Sequence, residues 1–353
     1  MDTTPNEPAR RTSIPKNLQL SLMGFPNDHE FTPIFIEAMK ATLIECGEVL
    51  DLERLAGVTV GFDFDAALAA VDLGYESDRA RQYTNNGEVV CVAKALRVLR
   101  HGKVMCHVVY NGSMVAELVD AQNEDYPRAI HIVWHELGHV AELKWRDEAM
   151  PGVLLQPQSG SWIDNMMRDA ATTVWEEYSA CRMTGQVGDP VALRISYAKE
   201  FERSSGHSRT RSNEAIKGFR EHAEVDRLLV EAGEPILMPL KLAGYLLGHL
   251  DANEDASDLR ALCPDYAETS LSFLIPRVWE ELRLIWDRRE EGRGLAIFDD
   301  LIKLVKQAYG DAGILLEPQE TGYYVRVPFS AETMPNGEAD MLMIRLQKAF
   351  GSW

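Results

Sequence analysis

The chain has 353 residues and a formal net charge of −19 at neutral pH, with 46% hydrophobic and 26% charged residues. This is enough apolar material for one large domain or two smaller ones. The negative charge argues against binding to a nucleic-acid backbone or to an anionic membrane surface, because both require basic patches.

The N-terminal third predicts a tail followed by a mixture of helices and strands. Residues 1–16 are polar, contain three prolines and have no apolar stretch typical of a signal sequence, so we expect a disordered tail. The next elements follow from hydrophobic periodicity. They are a helix at 30–46, a strand at 56–64, a short helix at 66–71, a segment at 88–99 that fits either helix or strand, and a strand at 103–110.

Residues 127–144, PRAIHIVWHELGHVAELK, predict an amphipathic helix. Its apolar stripe comprises Ile130, Val133, Trp134, Leu137, Val140 and Ala141. Pro127 suits the first turn, and Asp125 is the expected N-cap. Gly138 costs about 1 kcal/mol relative to alanine inside a helix, so we expect a close neighbour or a need for space beside it.

The other face of this helix carries His135-Glu136-Leu137-Gly138-His139, which matches the pattern H-E-x-x-H. His135 and His139 are one turn apart, so both imidazoles can bind one metal ion. Glu136 flanks the same cleft, where a carboxylate can take a proton from metal-bound water. This pattern is typical of a zinc hydrolase, and the alternative is an exposed His/Glu face without metal.

The next predicted helix, 165–183, offers two adjacent carboxylates for the third protein ligand that a catalytic zinc ordinarily has. Helical periodicity puts Glu177 on the apolar side of this helix and Glu176 nearer to its polar side. A carboxylate on an apolar face is costly to bury without a compensating cation. We therefore expect Glu177 to be the third ligand, with Glu176 as the alternative. If Glu177 binds no metal, we expect a carboxylate at the edge of the core that pairs with Arg182 or Arg168.

The His-Glu-Leu-Gly-His pattern, followed by a Glu-Tyr-x-Ala segment on a second helix, resembles the gluzincin metallopeptidases, the thermolysin-like branch of the zincins. The resemblance extends over residues 57–184. It implies an α+β zincin-like core with one Zn²⁺ per chain. By position, the zinc ligands are His135, His139 and Glu177. Glu136 is then the general base.

The resemblance carries two further expectations. Several relatives have an Asp four residues after the ligand Glu, which orients a ligand His, whereas this chain has Cys181. We therefore expect the orienting hydrogen bond to come from elsewhere. The last strand before the metal helix, Val104–Tyr110, is expected to form the sheet edge along which a peptide substrate lies.

Several other polar residues could contribute to such a site. The candidate donors to an oxyanion are Tyr178, Tyr197, His207 and Tyr245, and the sequence does not choose among them. His131, His101 and His107 are expected to be structural. The loop 147–163 is either a wall or lid of the cleft or a plain connector.

From residue 191 onward the chain predicts mostly helices. They span 191–202, 214–232, 237–250, 266–288, 298–309 and 338–350, with a short strand at 323–328. The polar segment 203–213, RSSGHSRTRSN, predicts a linker or an exposed loop. The longest apolar run, 236–250, is interrupted by Pro239 and Lys241 and is too short and too polar to span a bilayer.

The sequence therefore predicts a disordered tail at 1–16, a zincin-like catalytic domain at 17–190 and a mostly helical C-terminal domain at 191–353. The expected function is zinc-dependent hydrolysis of peptide bonds in peptide or protein substrates, without a nucleic-acid or membrane partner. Five scattered cysteines indicate reduced thiols and a cytoplasmic location. The alternative is a catalytically weak or inactive zincin-fold protein that binds a protein partner or regulator.

Overall fold

A computed structural model describes residues 11–25, 30–77, 81, 91–156 and 159–350 of the chain. They form a mixed α+β protein, as predicted. Packing divides the chain into two compact units. One comprises Met1–Pro157 and Ser179–Pro190, and the other comprises Gln158–Tyr178 and Val191–Trp353. The division falls within one continuous helix. The part up to Tyr178 belongs to the second unit, and the part from Ser179 onward belongs to the first.

The first unit contains a four-stranded sheet. Its strands are β1 (Leu20–Met23), β2 (Leu55–Gly61), β3 (Ala93–Arg100) and β4 (Lys103–Asn111). The spatial order is β1-β2-β4-β3, with β1 and β4 parallel to β2 and with β3 antiparallel to β4. Val108 of β4 packs into one core cluster and Val109 into another. β4 is therefore buried on both faces, which explains its nearly continuous apolar sequence.

Helices cover both faces of this sheet. They are α1 (Phe31–Val49), α2 (Phe64–Ala70), α3 (Gly112–Val115) and α4 (Tyr126–Ala149), with a 3-10 turn at Ala116–Val119. α1 and α4 share one core cluster with the sheet, and α2 packs on the other face. Pro127 lies in the first turn of α4, as predicted, and Asp125 occupies the N-cap position without making a capping hydrogen bond. The Asp125 carboxylate instead lies 3.3 Å from Arg128.

The position predicted for β4 in the sheet is wrong. β4 pairs with β2 on one side and with β3 on the other, so Val104–Tyr110 is not an edge. The outer strands of the sheet are β1 and β3. The segment 88–99, which fitted either helix or strand, supplies β3 from Ala93 onward, and residues 88–90 lie outside the described residues. Strand order depends on pairing between distant segments, and periodicity within one strand carries no information about it.

Part of the predicted N-terminal tail is bound to α1. Ser13 Oγ donates to the carbonyl of Leu50 at 2.6 Å and accepts from the N–H of Leu52 at 2.9 Å. Ser13 thus links the chain to the C-terminal end of α1. Residues 1–10 of the predicted tail lie outside the described residues.

The second unit is mostly helical. Its helices are α5 (Trp162–Thr184, whose last turns belong to the first unit), α6 (Pro190–His222), α7 (Val225–Glu231), α8 (Gly233–Ala252), α9 (Leu259–Leu262), α10 (Pro264–Ala267), α11 (Leu271–Arg288), α12 (Asp299–Asp311) and α13 (Glu338–Ala349). A hairpin of β5 (Leu315–Pro318) and β6 (Tyr323–Arg326) and 3-10 turns at Gly294–Phe298 and Ala331–Thr333 complete it. None of the helices in the described part of the chain combines the length and apolar character needed to cross a membrane.

The segment 203–213, predicted to be a linker or an exposed loop, lies inside the single 33-residue helix α6. Its serines bind their own helix: Ser205 Oγ donates to the carbonyl of Phe201 at 2.7 Å. Ser212 Oγ donates to the carbonyl of Ser208 at 2.8 Å. Because these hydroxyls are satisfied within the helix, residues that ordinarily favour loops are accommodated here.

Asp251, near the end of α8, joins three helices of the second unit. Its carboxylate accepts hydrogen bonds from Tyr178 Oη of α5 at 2.6 Å and from Trp279 Nε1 of α11 at 3.0 Å. Arg283 of α11 adds a further bond at 3.0 Å. Burial alone would raise the pKa of Asp251, but the hydrogen bonds from Arg283, Tyr178 and Trp279 hold it below its ordinary value.

The helical state of 203–213 can be tested at Gly206, where an added Cβ would meet nothing within 4 Å. We expect Gly206→Ala to raise the free energy of unfolding by about 0.5–1 kcal/mol, because alanine loses less backbone entropy in a helix. Denaturant unfolding followed by circular dichroism measures this change. No gain in stability would contradict a continuous α6.

Candidate metal centre

Helix α4 is fixed on the sheet by burial and by one hydrogen bond. Val133, Trp134 and Leu137 of the predicted apolar stripe are buried in the core of the first unit. Tyr110 Oη of β4 donates to the Val133 carbonyl at 3.1 Å. This bond, together with the buried stripe, sets the rotation of α4 and hence the direction of its histidines.

His135 and His139 have the spacing that one metal ion requires. Their imidazole rings are perpendicular, with centroids 4.8 Å apart, and their Nε2 atoms are 3.2 Å apart. With zinc–nitrogen bonds of about 2.0–2.1 Å and tetrahedral angles, two nitrogen ligands lie about 3.3 Å apart. The imidazole pair therefore already has the separation of two ligands on one ion.

The last turns of α5 pack against α4 at Gly138, where the predicted close neighbour is found. A Cβ at Gly138 would lie 3.1 Å from Ala180 Cα and 3.2 Å from the Ala180 carbonyl oxygen. The two helices thus approach each other almost backbone to backbone. This contact brings the inward side of α5 next to the imidazoles.

Glu177 of α5 completes a group of three possible ligands. Ligand atoms of His135, His139 and Glu177 all lie within 4.8 Å of one another. Glu177 is 7% exposed, whereas its neighbour Glu176 is only half-buried. Helical periodicity thus distinguished the buried carboxylate from its neighbour, and the three side chains could hold a metal ion.

Cys181 contacts one of the imidazoles. Its Sγ lies 3.6 Å from Nδ1 of His135, on the opposite side of the ring from His139. A metal ion on Nε2 requires the proton on Nδ1, from which it would be donated to the sulphur. We expected the hydrogen bond that orients a ligand histidine to come from a residue other than Cys181. That expectation is wrong, because Cys181, one turn after Glu177, contacts His135.

Glu136 is half-buried and lies near Tyr110 of β4. Burial raises the pKa of the Tyr110 hydroxyl well above its ordinary value, and the negative charge of Glu136 adds to this rise. Among the described residues, the group of possible ligands does not include Glu136.

Lys241 of α8 is the site residue that sequence analysis missed. Its Nζ lies 3.2 Å from Oε1 of Glu177. The sequence feature that could have identified Lys241 is its place within the apolar run 236–250. A half-buried lysine in such a run needs an anionic partner.

The remaining predicted residues have separate environments. His131 is buried and its Nδ1 lies 3.2 Å from the carbonyl of Val187, which fits a structural role. His107 Nε2 lies 2.8 Å from Thr59 Oγ1, and burial lowers its pKa to about 4. Among the candidate oxyanion donors, the Tyr178 hydroxyl binds Asp251, the Tyr197 and Tyr245 rings are 5.5 Å apart, and His207 is exposed on α6.

Comparisons of the chain with protein-family models, with curated proteins and with solved structures found no match.

Gly138 provides a test of the approach between α4 and α5. Gly138→Ala would gain about 1 kcal/mol of helix propensity, but overpacking against the Ala180 backbone costs about 1–3 kcal/mol. We expect a net loss of stability, opposite in sign to the gain at Gly206, where the same substitution meets no neighbour. Parallel denaturant unfolding of the two variants measures both changes, and equal gains would contradict close packing at Gly138.

Proposed function

We propose that this chain is a zinc-dependent metallopeptidase of the gluzincin type. The observation that carries the proposal is the pair of imidazole nitrogens 3.2 Å apart, with the buried Glu177 carboxylate completing the group. Two nitrogens and one carboxylate oxygen are a ligand set of catalytic zinc sites, which leave one coordination position open for water. Glu136, beside these ligands on α4, supplies the additional carboxylate that hydrolysis requires.

The proposed reaction divides the work between the metal and the protein. Bound zinc would lower the pKa of water to about 7 and polarise the scissile carbonyl. Glu136 accepts the proton of the attacking water and passes it to the leaving amine, so that one carboxylate serves first as base and then as acid. Cys181 keeps the His135 ring in the orientation in which Nε2 points to the metal position.

An extended peptide substrate would pair with the part of β3 that precedes Arg97, because the Arg97 carbonyl and the Leu99 N–H already bind Tyr75 and Leu73. This strand is at the outer side of the sheet and runs antiparallel to β4, which is followed directly along the chain by the elements leading to α4. Backbone pairing gives affinity that depends little on the substrate side chains. The role expected for Val104–Tyr110 is therefore reassigned to the neighbouring strand.

A reducing compartment is part of the proposal. All five cysteines are free thiols in the structure, and Cys181 at the ligand His135 must stay reduced to act as proposed. Proteins with unpaired buried cysteines are typical of the cytoplasm.

Metal content tests the ligand set. We expect wild-type protein purified without chelators to contain about one zinc per chain, because structural and catalytic sites retain this ion. Glu177→Ala should lose the zinc, whereas Glu176→Ala, which removes the adjacent half-buried carboxylate, should keep it. Elemental analysis of the three proteins measures this. Zinc lost from the Glu176 variant and kept by the Glu177 variant would reverse the assignment.

The role of Glu136 is tested separately. We expect Glu136→Gln to retain zinc and to lower the rate of peptide hydrolysis by about 10²- to 10⁴-fold, because general-base catalysis contributes this much. Cleavage of a peptide library, followed by mass spectrometry, identifies a substrate for the measurement. Turnover that is the same in Glu136→Gln as in wild-type protein would remove Glu136 from the mechanism.

One observation favours a second function. The side chain that contacts His135 is the thiol of Cys181, and an acidic side chain in its place would bind His135 more strongly. In this alternative the zinc-loaded chain is a scaffold that binds a protein partner or regulator. Stoichiometric zinc together with no cleavage anywhere in the peptide library would favour it.

A further inference from the structure

Glu177 is a buried carboxylate that has a cationic neighbour independent of any metal. Its side chain is 9% exposed, and Lys241 Nζ lies 3.2 Å from its Oε1. Moving an ionised carboxylate out of water is strongly unfavourable unless a positive charge compensates it. The ion pair with Lys241 therefore stabilises Glu177 in the metal-free protein.

Close packing of α8 on α5 determines where Lys241 lies. A Cβ at Gly244 would be 2.7 Å from the Val174 carbonyl oxygen and 3.3 Å from Glu177 Cβ, so a side chain here would push the helices apart. Lys241 is three residues earlier and thus on the same side of α8. Its Nζ also lies 6.0 Å from the ring centroid of Tyr245, on the next turn.

A divalent ion would change the charge balance at this carboxylate. Without the ion, the charges of Glu177 and Lys241 cancel. With the ion bound to two neutral imidazoles and Glu177, two cations share one carboxylate and repel each other at short distance. Lys241 thus favours the metal-free state more than the metal-bound state.

We propose that Lys241 is a resident counter-ion of Glu177, which keeps the metal-free site folded and lowers its affinity for the divalent ion. The two effects are linked, because a group that stabilises the metal-free state preferentially must weaken metal binding by the same factor. Lys241 is a positioning residue that acts through Glu177. The inference rests on the metal site of the proposed function and not on peptide hydrolysis.

The substitution Lys241→Met tests the inference, because it removes the charge and keeps most of the side-chain volume. We expect the variant to bind Zn²⁺ about 10-fold more tightly than the wild-type chain. The metal-free variant should also unfold at a lower temperature than the metal-free wild type, and zinc should recover most of this loss. Competition with a chromophoric chelator measures the affinity, and thermal unfolding with and without zinc measures the stability.

Lys303→Met is the matched control. Lys303 of α12 forms an ion pair with Asp300 at 2.7 Å, with both side chains mostly exposed, and neither residue belongs to the ligand group. This variant should leave zinc affinity unchanged. Lys241→Arg, which keeps the positive charge, should resemble the wild type in both measurements.

Unchanged or weaker zinc binding by Lys241→Met, with the same thermal loss in both metal states, would overturn the inference. If the metal-free variant does not fold, the double variant Glu177→Gln, Lys241→Met decides, because removing both charges should restore folding without metal, and failure to do so also overturns it. A wild-type chain that binds no zinc overturns the metal site itself. Tight zinc binding without peptide cleavage contradicts only the peptidase.

Discussion

The close approach of α4 to α5 is the constraint on which the candidate metal centre depends. At Gly138 no side chain separates the helices, and Ala180 on the facing helix is nearly as small. The backbones therefore come close enough for His135 and His139 of one helix to share an ion with Glu177 of the other. A larger residue at either contact position would widen this separation. Gly138 lowers the intrinsic stability of helix α4, but it permits the close approach that groups these three side chains.

Close helix packing at a glycine occurs twice along α5. Its last turns meet Gly138 of α4 in the first unit, and its middle meets Gly244 of α8 in the second. One close contact brings imidazoles to the inward side of α5, and the other brings the ammonium group of Lys241 to Glu177. Glu177 therefore belongs to the group that could hold a metal ion and also forms an ion pair with Lys241.

The local features of the site could be predicted from the sequence, because they depend on helical periodicity. The spacing of His135 and His139 and the inward position of Glu177 follow from about 100° of rotation per residue. The structure has Glu177 buried, Glu176 half-buried, and Glu177 grouped with both imidazoles. Lys241 could not be assigned to Glu177 because the contact joins residues 64 positions apart, through packing at a glycine that periodicity does not identify. The order of β3 and β4 escaped prediction for the same reason, and the polar composition of 203–213 concealed a helix whose hydroxyls bind its own backbone.

The hydrogen bonds of Asp251 bear on the freedom of the ligand helix. Tyr178 follows Glu177 directly in the chain, and its hydroxyl donates a hydrogen bond to the Asp251 carboxylate. Trp279 and Arg283 of α11 donate to the same carboxylate. Sliding of α11 along α8 must therefore either break these bonds or carry Tyr178 with it. This crosslink holds the backbone of α5 at the residue that follows Glu177. An ion held by Glu177 would therefore cost little additional ordering entropy in the backbone of α5.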